Sequence, residues 1–160
     1  MQHEGGCLCS ETRYAAIAEP VRVTFCHCRF CQRATGSAYL VEPVFRRDDF
    51  AIITGNPKTY EHRSEGSGKI VAVKFCDNCG TKLFLEFERF TDVIGVYGGT
   101  FDNPDWFEKN PVNSKHIFLS EAQFGTIIPP GFSTFTEHSI LADGTPAQPR
   151  VPAKPLTILK

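Results

Sequence analysis

Cys76-Asp77-Asn78-Cys79-Gly80 is a cysteine knuckle with a two-residue spacer, and the chain holds a second short pair to meet it, Cys7-Leu8-Cys9. Alternate side chains of an extended segment share a face, so Cys7 and Cys9 point together if that segment is extended, with Leu8 turned away. A glycine after Cys79 allows the tight backbone that such a knuckle needs. Four thiols close a tetrahedral zinc site. The crosslink spans about seventy residues and ties the N-terminal strand to the middle of the fold, removing freedom from the unfolded chain. Its expected role is structural, because such sites contribute folding energy directly. The competing reading is that Cys76 and Cys79 are buried or redox-active thiols. The second clustered pair favours metal, and the spacing favours zinc over an iron–sulfur cluster.

Between these pairs lies Cys26-His27-Cys28-Arg29-Phe30-Cys31, which completes the seven cysteines. Cys26 and Cys28 share one face of a strand end, and Cys31 follows two residues later. Three thiolates around Zn²⁺ leave a fourth corner for water or a ligand thiolate, and a soft ion with a vacant corner suits sulfur chemistry. The competing reading is a second closed site with a fourth protein ligand. His27 is a poor candidate for that ligand, since it alternates away from Cys26 and Cys28. Its two readings are packing or hydrogen bonding, and a supporting or substrate-facing role. Arg29 and Arg33 flank the cluster, either to receive a carboxylate of an acidic thiol or as solvated surface arginines. Trp106 and Phe107 line a pocket or pack in the core, and packing is favoured.

The rest of the sequence reads mostly as strands. Val21–Phe25, Ala38–Phe45, Ile70–Phe75, Lys82–Phe87 and Val93–Tyr97 are short, rich in β-branched or aromatic residues, and punctuated by Gly, Pro, Asn and Asp. Helix is expected only after Cys31, over Gln32-Arg33-Ala34-Thr35, with Gly36 ending it. Gly98–Pro111 reads as a long loop. The last stretch carries Pro146, Pro149, Pro152 and Pro155 and is expected to be extended against the body or a neighbour.

Composition sets the outer bounds. A chain of 160 residues, 41% hydrophobic and 22% charged, fits one ordinary globular domain with a real core. We expect a zinc-binding domain over residues 1–140, with 141–160 as its Pro-rich extension. No apolar run is long enough to span a membrane. The N-terminus lacks the features of a signal peptide, so a cytoplasmic setting with reduced thiols is expected. An odd number of cysteines fits a disulfide framework poorly. The formal net charge of −1 argues against a phosphate-binding nucleic-acid surface. No glycine-rich phosphate loop follows an expected strand.

The ordered set Gly5-Gly6-Cys7-x-Cys9, Cys26-His27-Cys28-x-x-Cys31 and Cys76-x-x-Cys79-Gly80 closely resembles the family of glutathione-dependent formaldehyde-activating enzymes. Gln32-Arg33-Ala34-Thr35-Gly36, the Phe75-Cys76 strand end and Lys115-His116-Ile117 extend the resemblance, which runs from about Gly5 to about Ser120. It implies a mainly β, β-tent-like fold of short antiparallel sheets organised around a structural zinc, with few short helices. It maps Cys7, Cys9, Cys76 and Cys79 onto that zinc, and Cys26, Cys28 and Cys31 onto a second, catalytic zinc. The implied activity is that of a carbon–sulfur lyase, the reversible formation of S-hydroxymethylglutathione from glutathione and formaldehyde. The residues themselves also admit a non-catalytic thiol or aldehyde carrier, or an interaction module with two structural zincs.

Overall fold

The computed structural model describes residues 2–159. In chain order the strands are β1 (His3–Gly6), β2 (Arg13–Ala16), β3 (Arg22–Cys26), β4 (Leu40–Arg46), β5 (Phe50–Thr54), β6 (Lys58–Arg63) and β7 (Ile70–Phe75). They continue with β8 (Lys82–Phe87), β9 (Val93–Val96), β10 (Ser114–Ile117), β11 (Ile127–Ile128), β12 (Ser133–Thr134) and β13 (Leu156–Thr157). Among the described residues one α-helix, α1 (Arg29–Thr35), interrupts them after β3. The protein is mainly β, with several sheets. Among the described residues no helix is long and apolar enough to cross a membrane.

The chain divides into two compact units, Met1–Arg22 with Glu42–Glu108, and Val23–Val41 with Lys109–Lys160. In the first unit β1, β2 and β5 form an antiparallel sheet in that order. A second antiparallel ladder runs β4-β9-β8-β7-β6. Phenylalanines pack in the core of this unit, where Phe45, Phe84 and Phe101 are buried. Tyr14 is fully buried, with ring centroids of Phe50 and Phe101 at 5.1 and 5.3 Å, and Phe50 meets Phe84 at 4.9 Å. Such tilted and edge-on pairs add roughly 0.5–1.5 kcal/mol each beyond area burial. Phe107 is core, and Trp106 stacks on His3 at 3.7 Å, so packing is the reading that holds for both.

In the second unit β10 lies between β3 and β12 and runs parallel to both. These pairings are parallel, whereas the ladders of the first unit are antiparallel. His116 on β10 stacks on Phe25 of β3 at 4.5 Å, and Phe132 meets both rings edge-on. The Pro-rich tail is extended and lies along this unit: β13 pairs antiparallel with β11, Arg150 bridges Thr134, and the Gly131 N–H donates to the Pro152 carbonyl.

Candidate metal centres

The first centre lies in the first unit. Cys7 and Cys9 follow β1 in a turn, not in the extended segment the sequence suggested, because the Ser10 N–H returns to the Cys7 carbonyl at 3.1 Å. Ser10 takes a left-handed conformation with φ 63°. The sulfurs still converge, 3.4 Å apart, and Leu8 turns outward, 88% exposed. Cys76 follows directly on β7, and the Gly80 N–H closes the knuckle on its carbonyl at 2.8 Å. Gly80 has φ 73°, which a side chain would strain. The sulfurs of Cys7, Cys9, Cys76 and Cys79 all lie within 4.8 Å of one another.

Thr81 joins the two halves, and sequence reading missed it. Its hydroxyl lies 3.1 Å from the Cys79 sulfur and accepts the Leu8 N–H at 3.2 Å, while its carbonyl accepts the Cys76 N–H at 2.9 Å. That hydroxyl helps hold the Cys79 thiol down to about 5. The Thr12 N–H donates to the Cys7 sulfur at 3.2 Å. Burial pushes the Cys7 thiol up, but Thr12 and the neighbouring thiols outweigh it, and the net direction is down. Against a favourable bond at Glu11, burial and the crowd of sulfurs push the Cys9 thiol up to about 12. Thiols this close cannot all ionise alone; a cation between them removes the conflict.

The second centre lies wholly in the second unit. Cys26 ends β3, and Cys28 is the N-cap of α1, its sulfur accepting the Cys31 N–H at 3.4 Å. The helix therefore starts at Arg29, three residues before the sequence suggested, and ends at Gly36 as expected. Cys26 and Cys28 sulfurs are 3.4 Å apart, and all three sulfurs lie within 4.8 Å of one another. Cys26 and Cys31 are buried and Cys28 is half-buried, so the accessible edge of the cluster is at Cys28. Its neighbours hold the Cys28 thiol down to about 3, and the same contacts push Cys31 well up. Among the described residues no fourth Cys, His, Asp or Glu joins this group.

His27 turns away from the sulfurs, as alternation requires. It is fully buried, beside Tyr39 at 5.0 Å, and its Nε2 shares a hydrogen bond of 3.1 Å with His116 Nδ1. The Nδ1 of His27 is buried without a partner. Burial holds both rings down to about 4, so both are neutral at pH 7. Arg29 and Arg33 are exposed, and the Arg29 guanidinium donates to the Gln32 side-chain oxygen.

The donor sets fit a thiophilic ion. All seven cysteines are free thiols. Tetrahedral zinc with Zn–S of about 2.3 Å places sulfurs about 3.8 Å apart, near the 3.4 and 3.6 Å separations here.

A mainly β protein with one four-thiol and one three-thiol cluster is thus the class that fold and site define. The family described as glutathione-dependent formaldehyde-activating enzyme matches residues 2–121, and the chain belongs to that family. Over 89 residues it is 29% identical to an uncharacterized lyase of Schizosaccharomyces pombe, covering 54% of this chain and 58% of the relative. The chain thus aligns with little more than half the length of that relative. A crystal structure of a Rhodobacter sphaeroides protein is similar with a TM-score of 0.50 at 18% identity, covering 68% of this chain and 92% of that one. That likeness is one of fold.

Proposed function

We propose that the chain is a zinc-dependent carbon–sulfur lyase that adds a small thiol, glutathione or a relative of it, reversibly to formaldehyde or another small carbonyl. The observation that carries this reading is the three-thiol cluster with no fourth side-chain ligand among the described residues. In it Cys26, Cys28 and Cys31 hold a catalytic zinc, and Cys7, Cys9, Cys76 and Cys79 hold a structural one. Family membership and a relative named a lyase support the same class.

A bound zinc supplies Lewis acidity and keeps a thiol ionised near neutral pH. The chain's own residues supply the rest. Cys26 and Cys31 are buried and limit access to the side of Cys28. The His27–His116 pair fills the space behind the knuckle without adding charge. In the reaction the substrate thiol gives up its proton, its sulfur bonds to the carbonyl carbon, and the carbonyl oxygen takes up a proton. The reverse breaks the same carbon–sulfur bond. Seven reduced cysteines suit a cytoplasmic setting.

X-ray absorption at the zinc edge tests the open corner. On addition of glutathione, sulfur coordination at the second zinc is expected to rise from three to four. An unchanged coordination sphere would make both sites structural and end the lyase reading.

A further inference from the structure

The knuckle carrying Cys26, Cys28 and Cys31 is pinned by one buried side chain that is not itself a thiol. Gln32 is 4% exposed. Its Nε2 donates to the His27 carbonyl at 2.6 Å and to the Glu121 carbonyl at 2.9 Å. Its Oε1 accepts from Gln123 Nε2 at 3.2 Å and from the Arg29 guanidinium. A side-chain amide has two N–H donors and two lone pairs, so Gln32 is fully used. The His27 N–H is tied as well, to the Ile117 carbonyl at 3.1 Å, and the Arg29 N–H reaches the Glu121 carboxylate. The residue between Cys26 and Cys28 and the one following Cys28 are therefore both fixed to the Ile117–Glu121 turn. Within that turn Phe118 adopts a left-handed backbone, φ 60° and ψ 44°, which a bulky residue avoids unless its surroundings impose it.

We propose that Gln32, with Glu121, is the positioning pair that sets the spacing of the three sulfurs before metal arrives. This rests on the reading of Cys26, Cys28 and Cys31 as metal ligands. A cluster with an open corner lacks the closing ligand that would otherwise lock its geometry, so the supporting backbone must do it. Partners that orient metal ligands are typically worth about 10–100-fold in metal affinity.

Cadmium NMR of the full chain tests this. Two resonances are expected, and Cys28→Ser assigns the second by removing it. Gln32→Met keeps the bulk and deletes all four hydrogen bonds. It is expected to shift the second resonance and speed transfer of that ion to a chelator about 10–100-fold, with the first resonance unmoved. Thr134→Val deletes another part-buried side-chain bond of the same unit, from the Thr134 hydroxyl to the Arg150 carbonyl at 2.7 Å, and is expected to leave the second resonance in place. A Gln32→Met chain with wild-type shift and release rate overturns the proposal, as does a Thr134→Val chain that behaves like it. Should Gln32→Met not fold, Glu121→Gln weakens only the Arg29 arm and is expected to move the same resonance by less; no movement overturns the pair. A single resonance from the wild type instead overturns the two-site reading, and the positioning pair with it.

Discussion

The sulfurs of Cys9 and Cys76 lie 3.6 Å apart although 67 residues separate them. The contact joins the turn after β1 to the end of β7, and the remaining two sulfurs complete the group. An ion held there crosslinks the first unit. The second centre closes no comparable loop, since its three sulfurs fall within six consecutive residues. The two centres should therefore fail differently.

Cys79→Ser is expected to unfold or aggregate the protein. Structural zinc contributes on the order of 10 kcal/mol, comparable to the whole net stability of a domain, about 5–15 kcal/mol. Cys28→Ser is expected to stay folded and lose only the second ion, because serine is itself a favourable N-cap for α1. Native mass spectrometry and thermal denaturation of both variants check this. Equal loss of thermal stability would count against the division of labour.

Gly5→Ala is expected to destabilise the fold by about 1–3 kcal/mol through overpacking. A Cβ at Gly5 would run into the Tyr14 ring and the Thr100 carbonyl, and Tyr14 is fixed there by a 2.7 Å hydrogen bond to the Thr100 hydroxyl. Tyr14→Phe in the same chain is expected to give little relief, because the ring carbon and the carbonyl remain in place. Denaturant melts of the single and double variants decide it; full recovery in the double variant would refute the packing argument.

Mild acid should weaken the protein through a buried histidine. Burial, with His27 beside it, holds His116 down to about 4, against an ordinary value of 6.5. Between those values the unfolded chain takes up a proton that the folded chain refuses. The contribution is therefore full above about pH 6.5 and is lost as pH falls toward about 4, at most about 3 kcal/mol. Asp102, hydrogen-bonded to Arg13, stays ionised in this window. Melting midpoints between pH 6.5 and 5 should fall more steeply for the wild type than for His116→Asn. Parallel slopes would show that His116 does not carry the effect.

The sequence made the cysteine groups legible because ligand chemistry is written in residue type and close spacing. β7 and β8 were legible at their full lengths, since their apolar residues mark them. β6 was not: Lys58-Thr59-Tyr60-Glu61-His62-Arg63 lies at a sheet edge and is exposed along nearly its whole length, so no apolar pattern marks it. The two-residue strands β11, β12 and β13 are too short for any period to show. Helix α1 began early because a cysteine sulfur serves as its cap, a role that spacing does not announce. Thr81, Glu121 and the His27–His116 contact depend on partners far along the chain, Glu121 lying 92 residues from Arg29. No local signal could have found Glu121.

Catalysis at the three-cysteine centre is the proposal on which the functional reading turns. Exchange NMR on labelled glutathione and formaldehyde measures the forward and reverse rates at equilibrium, with the zinc-loaded chain, with Cys28→Ser and with buffer alone. The wild type is expected to exchange glutathione with S-hydroxymethylglutathione faster than buffer, and Cys28→Ser is expected to return the rate to that of buffer. A wild-type chain holding two zinc ions and giving only the buffer rate would contradict it.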